Sequence, residues 1–174
     1  MRFLHTSDWQ IGEPFRFVDD ETLAVLRAER LEVISRIGRL AVEQQAPIVL
    51  VAGDVFDGAL PSLDTLLRPI ERMRQFPNVE WHLIPGNHDA HNANSPWERL
   101  LLQALPTNIV IHTSPEPHAV LEGSAWILPS LRFQMGMIAS SQSRGTTPRI
   151  PRTRSSCPRT ILAANRLMKP FAPS

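Results

Sequence analysis

The sequence predicts an α/β fold, a layered domain with a mainly parallel sheet, and three observations carry that prediction. Residues 47–52 (Pro-Ile-Val-Leu-Val-Ala) form an apolar, β-branched run without polar alternation. A strand buried on both faces of a parallel sheet needs such a run. Ahead of it, Leu23, Leu26, Leu31, Ile34, Ile37 and Ala41 recur at three- and four-residue spacing, the period of an amphipathic helix. Apolar segments and helical segments then alternate along residues 1–131, which is the order of a layered α/β domain.

Taken in order, Arg2 to Ser7 is a short apolar-rich segment that stops at Asp8 and reads as the first strand. Asp19 and Asp20 precede the first helix as N-cap candidates, because a carboxylate there accepts from N–H groups that have no helical partner. The second strand is the run at 47–52. Ser62 to Gln75 reads as a second helix with Leu63, Leu66, Leu67, Ile70 and Met73 on one face, and Pro69 is an irregularity, since proline gives no N–H to the ladder. Glu80 to Ile84 follows as the third strand. A short helix around Trp97 to Leu105 leads to a strand at Asn108 to Ile111. Two further strands, Ala119 to Leu121 and Ser124 to Leu128, are expected as a hairpin toward the edge of the sheet.

The net charge of +1 conceals two kinds of material. All 17 acidic residues lie at or before Glu122, so residues 1–131 carry a net −7, while residues 132–174 carry eight basic residues and no acidic one. This second part is rich in Pro, Ser and Thr and has little apolar periodicity apart from Ile161 to Met168. Such composition lacks what a packed core requires, so residues 132–174 are expected to form a basic, disordered tail. No apolar run approaches the roughly 20 residues of a membrane span. The start lacks the pattern of a signal peptide, and Cys157 is the lone cysteine, so no internal disulfide forms. A cytoplasmic location is expected.

Polar residues gather where the first three strands end: Ser7-Asp8-Trp9-Gln10, Gly53-Asp54-Val55-Phe56-Asp57 and Pro85-Gly86-Asn87-His88-Asp89. In parallel sheets, ligands bind just beyond the carboxyl ends of the strands. Asp8, Gln10, Asp54, Asn87 and His88 offer carboxylate, amide and imidazole donors, a set suited to hard divalent cations such as Mn²⁺ and Mg²⁺. Two such cations sharing a bridging carboxylate activate water and hold a phosphoryl group. Asp54, on the central strand, is the natural bridge. Gly53 and Gly86 let the backbone turn sharply and approach a ligand closely.

The joint set Asp8-x-Gln10, Gly53-Asp54 and Gly86-Asn87-His88-Asp89 resembles the first three motifs of the calcineurin-like metallophosphoesterase superfamily. Within it, the stretches Leu4 to Trp9, Gly53 to Asp57 and Pro85 to Asp89 most resemble SbcD-type DNA repair exonucleases. The resemblance implies a metal-dependent phosphodiesterase acting on DNA ends with two divalent cations, Mn²⁺ foremost and Mg²⁺ as the alternative. Its partners would be DNA, an SbcC-like ATPase subunit and a second copy of the chain. Position by position, it implies that Asp8 and Gln10 hold the first metal, Asp54 bridges, Asn87 holds the second, His88 stabilises or protonates the leaving oxygen, and Asp89 orients His88. His91 is a candidate contact to substrate phosphate.

Two departures stand out. The family usually has histidine at position 10, and Gln10 offers only a neutral carbonyl oxygen. The family's late Gly-His-x-His motif is absent, leaving His91, His112 and His118 after Asp89. The chain therefore reads as a truncated, N-terminal portion of the domain at residues 1–131, with 132–174 an out-of-frame or basic tail. Hydrolysis of small phosphoesters, which the acidic first part favours, and a catalytically inactive remnant that binds metal or a partner are the alternatives. His5 and His82 fall inside strands and read as satisfied sheet histidines. Trp9, Trp81, Trp97 and Trp126 read as packing residues, and Arg16, Arg27 and Arg30 as a solvated helix face.

Overall fold

Four strands, β1 (Leu4–Thr6), β2 (Ile48–Ala52), β3 (Glu80–Ile84) and β4 (Ile109–Ile111), lie side by side in that order, every neighbouring pair parallel. They belong to a computed structural model that describes residues 2–57, 60–123, 125–129 and 160–164. The connections are α1 (Asp20–Glu43), α2 (Leu63–Arg74) and α3 (Pro96–Leu101), as parallel neighbours require a crossover. Among the described residues no helix is long and apolar enough to cross a membrane.

Each helix begins where a side chain accepts from its first turn. Asp19 caps α1 through the N–H of Thr22 at 2.8 Å, Ser62 caps α2 through Thr65, and Ser95 caps α3 through Glu98. Asp20, the other cap candidate, is the first helical residue. Pro69 is buried inside α2 without ending it. The third helix stops at Leu101 rather than near Leu105, because Leu102 turns back onto Glu98 and Leu100 and Pro106 disfavours helix just ahead of itself.

Both faces of the parallel sheet are covered, which explains the unbroken apolar run of β2. Val49, Val51, Trp81 and Leu83 meet Leu31, Ile34, Leu66, Ile70, Met73 and Leu100 of the helices. The intervening Ile48, Leu50 and Ile84 face the other way and pack on Val120, Ala125 and Ile127. These last belong to β5 (His118–Val120) and β6 (Ala125–Pro129), which pair antiparallel. The hairpin is thus correct as a pairing, but it lies in a second sheet stacked on the first rather than at the first sheet's edge. That sheet also contains β7 (Thr160–Ala164), parallel to β6 and within the apolar stretch of the basic segment. The rest of that segment, residues 132–159 and 165–174, lies outside the described residues, so the disordered-tail expectation falls there.

Candidate metal centre

Because β1, β2 and β3 are parallel, the three polar segments leave the same edge of the sheet. The chain after β1 runs beside the chain after β2, with the N–H groups of Asp8, Gln10 and Ile11 donating to the carbonyls of Gly53, Asp54 and Val55 at 3.1, 3.0 and 2.8 Å. The chain after β3 joins them: the His88 N–H donates to Asp54 Oδ1 at 2.9 Å. Asp54 is therefore central to the three segments.

Backbone conformation marks the same place. Asp8, Gln10 and Asp54 have φ of 57°, 46° and 55°, the left-handed region that costs a residue with a Cβ roughly 1–2 kcal/mol. Strain of this kind persists only where the surroundings impose it, and it gathers at functional sites. Gly53 has φ +95° and a Cβ there would touch the Gly86 backbone at 3.0 Å. A Cβ on Gly86 would fall 2.0 Å from Asp54 Oδ1 and 2.3 Å from its N. No larger residue fits between the Asp54 carboxylate and the chain after β3.

Asp89 has a different place from the one expected. It is buried, its Oδ2 accepts from the N–H groups of Val55 and Phe56 at 2.8 and 3.1 Å, and its Oδ1 accepts from Gly86 at 2.6 Å. No bond from it to His88 occurs among the described contacts. Its carboxylate thus ties the loop after β2 to the loop after β3 and leaves His88 exposed. Burial raises the Asp89 carboxyl above the usual carboxylate range, opposed by the Gly86 and Phe56 N–H groups, with the nearby Asp54 adding to the rise. His91 is half-buried and its Nε2 lies 2.5 Å from Glu98 Oε1, which holds the ring to α3.

The donors brought to this edge are the carboxylates of Asp8 and Asp54 and the amides of Gln10 and Asn87. All are of the hard, oxygen type that Mn²⁺ and Mg²⁺ accept. Among the described residues no group of three or more His, Cys, Asp or Glu side chains is placed to hold a metal ion. The residues therefore fit part of a coordination shell. Ser7 Oγ donates to Asp8 Oδ2 at 2.5 Å and orients that carboxylate.

Two features were not foreseen from sequence. Arg30, expected on a solvated helix face, turns in to donate from Nη1 to the carbonyl of Gln10 at 2.5 Å and lies 4.3 Å over the Phe15 ring. Its spacing in α1 was the available signal, since it falls beside Leu31 and Ile34 on the buried side. The second is a histidine cluster between the two sheets. His82 Nδ1 and His112 Nε2 are 3.0 Å apart, and the His118 ring lies 5.6 and 5.0 Å from theirs. Burial, with the neighbouring histidines adding to it, pushes both His82 and His112 down to about 4.

Comparison with known proteins agrees with this geometry. The SbcD subunit of the SbcCD nuclease of Rhodobacter capsulatus is 34% identical over 93 residues, covering 51% of this chain and 22% of that protein. Its counterpart in Escherichia coli K12 is 36% identical over 95 residues, 52% of this chain and 22% of that one. The DNA double-strand break repair protein Mre11 of Archaeoglobus fulgidus is 31% identical over 96 residues, 51% and 19% of the two chains. The match thus spans about a fifth of the length of these relatives. The family described as calcineurin-like phosphoesterase matches residues 1–125, the stretch that contains all three strand-end segments, the whole parallel sheet and β5. That match extends over most of the chain and takes in the strained Asp8, Gln10 and Asp54 together with the loop of Asn87 and His88, so the protein is a member of the calcineurin-like phosphoesterase family.

Proposed function

We propose that the chain carries the first part of a Mn²⁺-dependent phosphodiesterase centre acting on DNA ends, with Mg²⁺ as the alternative metal. The observation that supports it most is the convergence of Asp8, Gln10, Asp54 and the Asn87–His88 loop at one sheet edge, in a chain whose curated relatives are nucleases. Asp8 and Gln10 would hold one cation, Asn87 a second, and Asp54 both. Bound divalent cations supply an acidified water and a clamp for the phosphoryl oxygens. The exposed His88 imidazole would deliver a proton to the leaving oxygen or stabilise its charge. Asp89 serves this centre by holding two loops in register, and His91, fixed by Glu98, would meet a substrate phosphate.

The relatives' names support an SbcC-like ATPase as partner and the cytoplasm as location. A second copy of the chain would cover Leu60 and Leu102, which are 77% and 83% exposed beside Leu63 and Leu101. Arg99 Nη1 donates to the Pro61 carbonyl and holds these two segments together. Hydrolysis of a small phosphoester is the second reading, favoured by the net −7 of residues 1–131, which repels a polyanion.

The test compares the wild type with Asp54→Ala. Millimolar Mn²⁺ should raise the melting temperature of the wild type and leave Asp54→Ala unmoved, since only a ligand that binds the folded state stabilises it. Equal shifts in the two proteins would remove Asp54 from the metal centre. Cleavage of linear DNA against cleavage of nitrophenyl phosphate then separates the two substrate readings. With only part of a shell among the described donors, either rate is expected to be low.

A further inference from the structure

We propose that the cavity next to the Gln10 loop, together with the exposed Phe17, is a docking platform for an unpaired nucleic-acid strand. A phosphate of that strand would enter the cavity and a base would stack on the Phe17 ring. The proposal rests on the nuclease-type reading above and deepens it by naming the state of the strand.

The cavity has a volume of about 240 Å³ and lies between the loop that follows Gln10, the middle of α1 and the start of α2. Arg27, Arg30 and Arg68 line it, with Phe15 among its apolar walls. Arg68 is paired with Asp64 at 2.7 Å, and Arg30 is engaged by the Gln10 carbonyl and by Phe15. Arg27 has no carboxylate partner among the described ion pairs, so it offers the free charge, with Glu13 the other acid in the wall. A pocket with more arginines than acids is conspicuous where residues 1–131 carry a net −7. Charge of this kind, placed locally, fits a phosphate rather than a diffuse attraction for polyanions.

The aromatic residues decide what the phosphate is attached to. Phe15 has φ +43°, an outlier for a bulky residue. The turn closed by the Val18 N–H on the Phe15 carbonyl at 3.2 Å holds it there. The consequence of that strained turn is that Phe17 stands out 81% exposed, its ring 6.0 Å from Phe15 in an edge-on pair. One side of Phe15 is occupied by Arg30, whereas Phe17 keeps open surface. Aromatic faces beside arginines are how single strands are bound without regard to sequence. A duplex keeps its bases stacked on one another and presents only phosphates and groove edges, so it leaves Phe17 unused.

The test is fluorescence anisotropy of a labelled oligothymidine of about a dozen nucleotides with the full chain, in chelator, against a duplex of equal length. The single strand is expected to bind more tightly. Phe17→Ala should weaken it about fivefold or more, and Phe17→Leu should stay weak, because it keeps bulk but loses the π-face. Arg27→Gln should lower affinity and flatten the slope of log K against log salt by about 0.7. Arg39→Gln, on the far side of α1 and paired with Glu32, should have the smaller effect. Phe17 and Arg27 are exposed, and unchanged melting curves check that both variants fold.

Wild-type affinity in both Phe17→Ala and Arg27→Gln would overturn the proposal, as would equal losses in Arg27→Gln and Arg39→Gln. A separate titration with inorganic phosphate identifies a free-anion pocket. If phosphate binding depends on Arg27 while oligonucleotide binding ignores Phe17, the strand platform is wrong. Because the binding is read in chelator, a chain that binds through Phe17 and Arg27 but, with Mn²⁺ restored, hydrolyses nothing counts against the phosphodiesterase reading alone.

Discussion

At the scale of single residues, the contact between Gly86 and Asp54 is the tightest constraint on the candidate centre. A methyl group at position 86 would overlap the Asp54 carboxylate and its backbone N, and neither is the free end of a flexible side chain. Gly86→Ala is therefore expected to destabilise the fold by about 1–3 kcal/mol, the usual cost of overpacking. It should also abolish any Mn²⁺-induced rise in melting temperature by displacing Asp54. Thermal melts with and without Mn²⁺ check both effects, and a variant that melts like the wild type would show that the two loops separate easily. The glycines at 53 and 86 were legible in the sequence as points of close backbone approach. The left-handed backbone of Asp8, Gln10 and Asp54 was not, because Asp and Gln stand equally well in extended or helical chain. Nor was the place of Asp89 legible: its neighbour in sequence is His88, but its partners, Val55 and Phe56, come from another strand end.

Between elements, α1 and α2 meet at a glycine. A Cβ on Gly38 would come within 2.4 Å of the Phe76 ring just beyond the end of α2. Alanine ordinarily improves a helix interior by roughly 0.5–1 kcal/mol over glycine. Here the overlap should outweigh that gain, so Gly38→Ala is expected to lower stability by about 1 kcal/mol or more. In a Phe76→Leu background, which clears the overlap, the same change should regain stability. Urea denaturation of the four proteins measures the coupling, and simple additivity would mean that the helices slide apart without cost. The period of Leu31, Ile34, Ile37 and Ala41 made α1 legible and named its buried side. It carried no sign that a small residue at 38 sets the approach of α2. Similarly, the apolar runs at 119 and 125 announced a hairpin, but local pairing does not say which sheet a hairpin joins. That was decided by Ile48, Leu50 and Ile84, whose apolar side needed a cover.

On the scale of the whole molecule, the two sheets are joined by the apolar layer of Ile48, Leu50, Ile84, Val120, Ala125 and Ile127, and beside it by His82, His112 and His118. No sequence pattern groups these histidines; they meet because the parallel pairing of β3 with β4 and the fold-back of β5 bring them together. The ring nitrogens of His82 and His112 share a single proton between them at 3.0 Å, and the His82 side chain is fully buried. Glu80 stands 3.6 Å from His82 Nε2 and is partly exposed. Burial holds His82 and His112 neutral down to about pH 4, whereas in the unfolded chain they would bind protons below about 6.5. Between these two values the unfolded state carries more protons than the folded state, so stability rises with pH across that window and is lost as pH falls. Above the window both states are neutral and the cluster contributes no pH dependence. Acidification from roughly pH 7.5 to pH 5 should therefore lower the melting temperature of the wild type. His82→Phe, which keeps a ring between the sheets and removes one titrating group, should lose less on the same change of pH even though it is less stable at neutral pH through the lost hydrogen bond. Parallel loss in the two proteins would show that carboxylates elsewhere, and not the histidines between the sheets, set the acid limit of the fold.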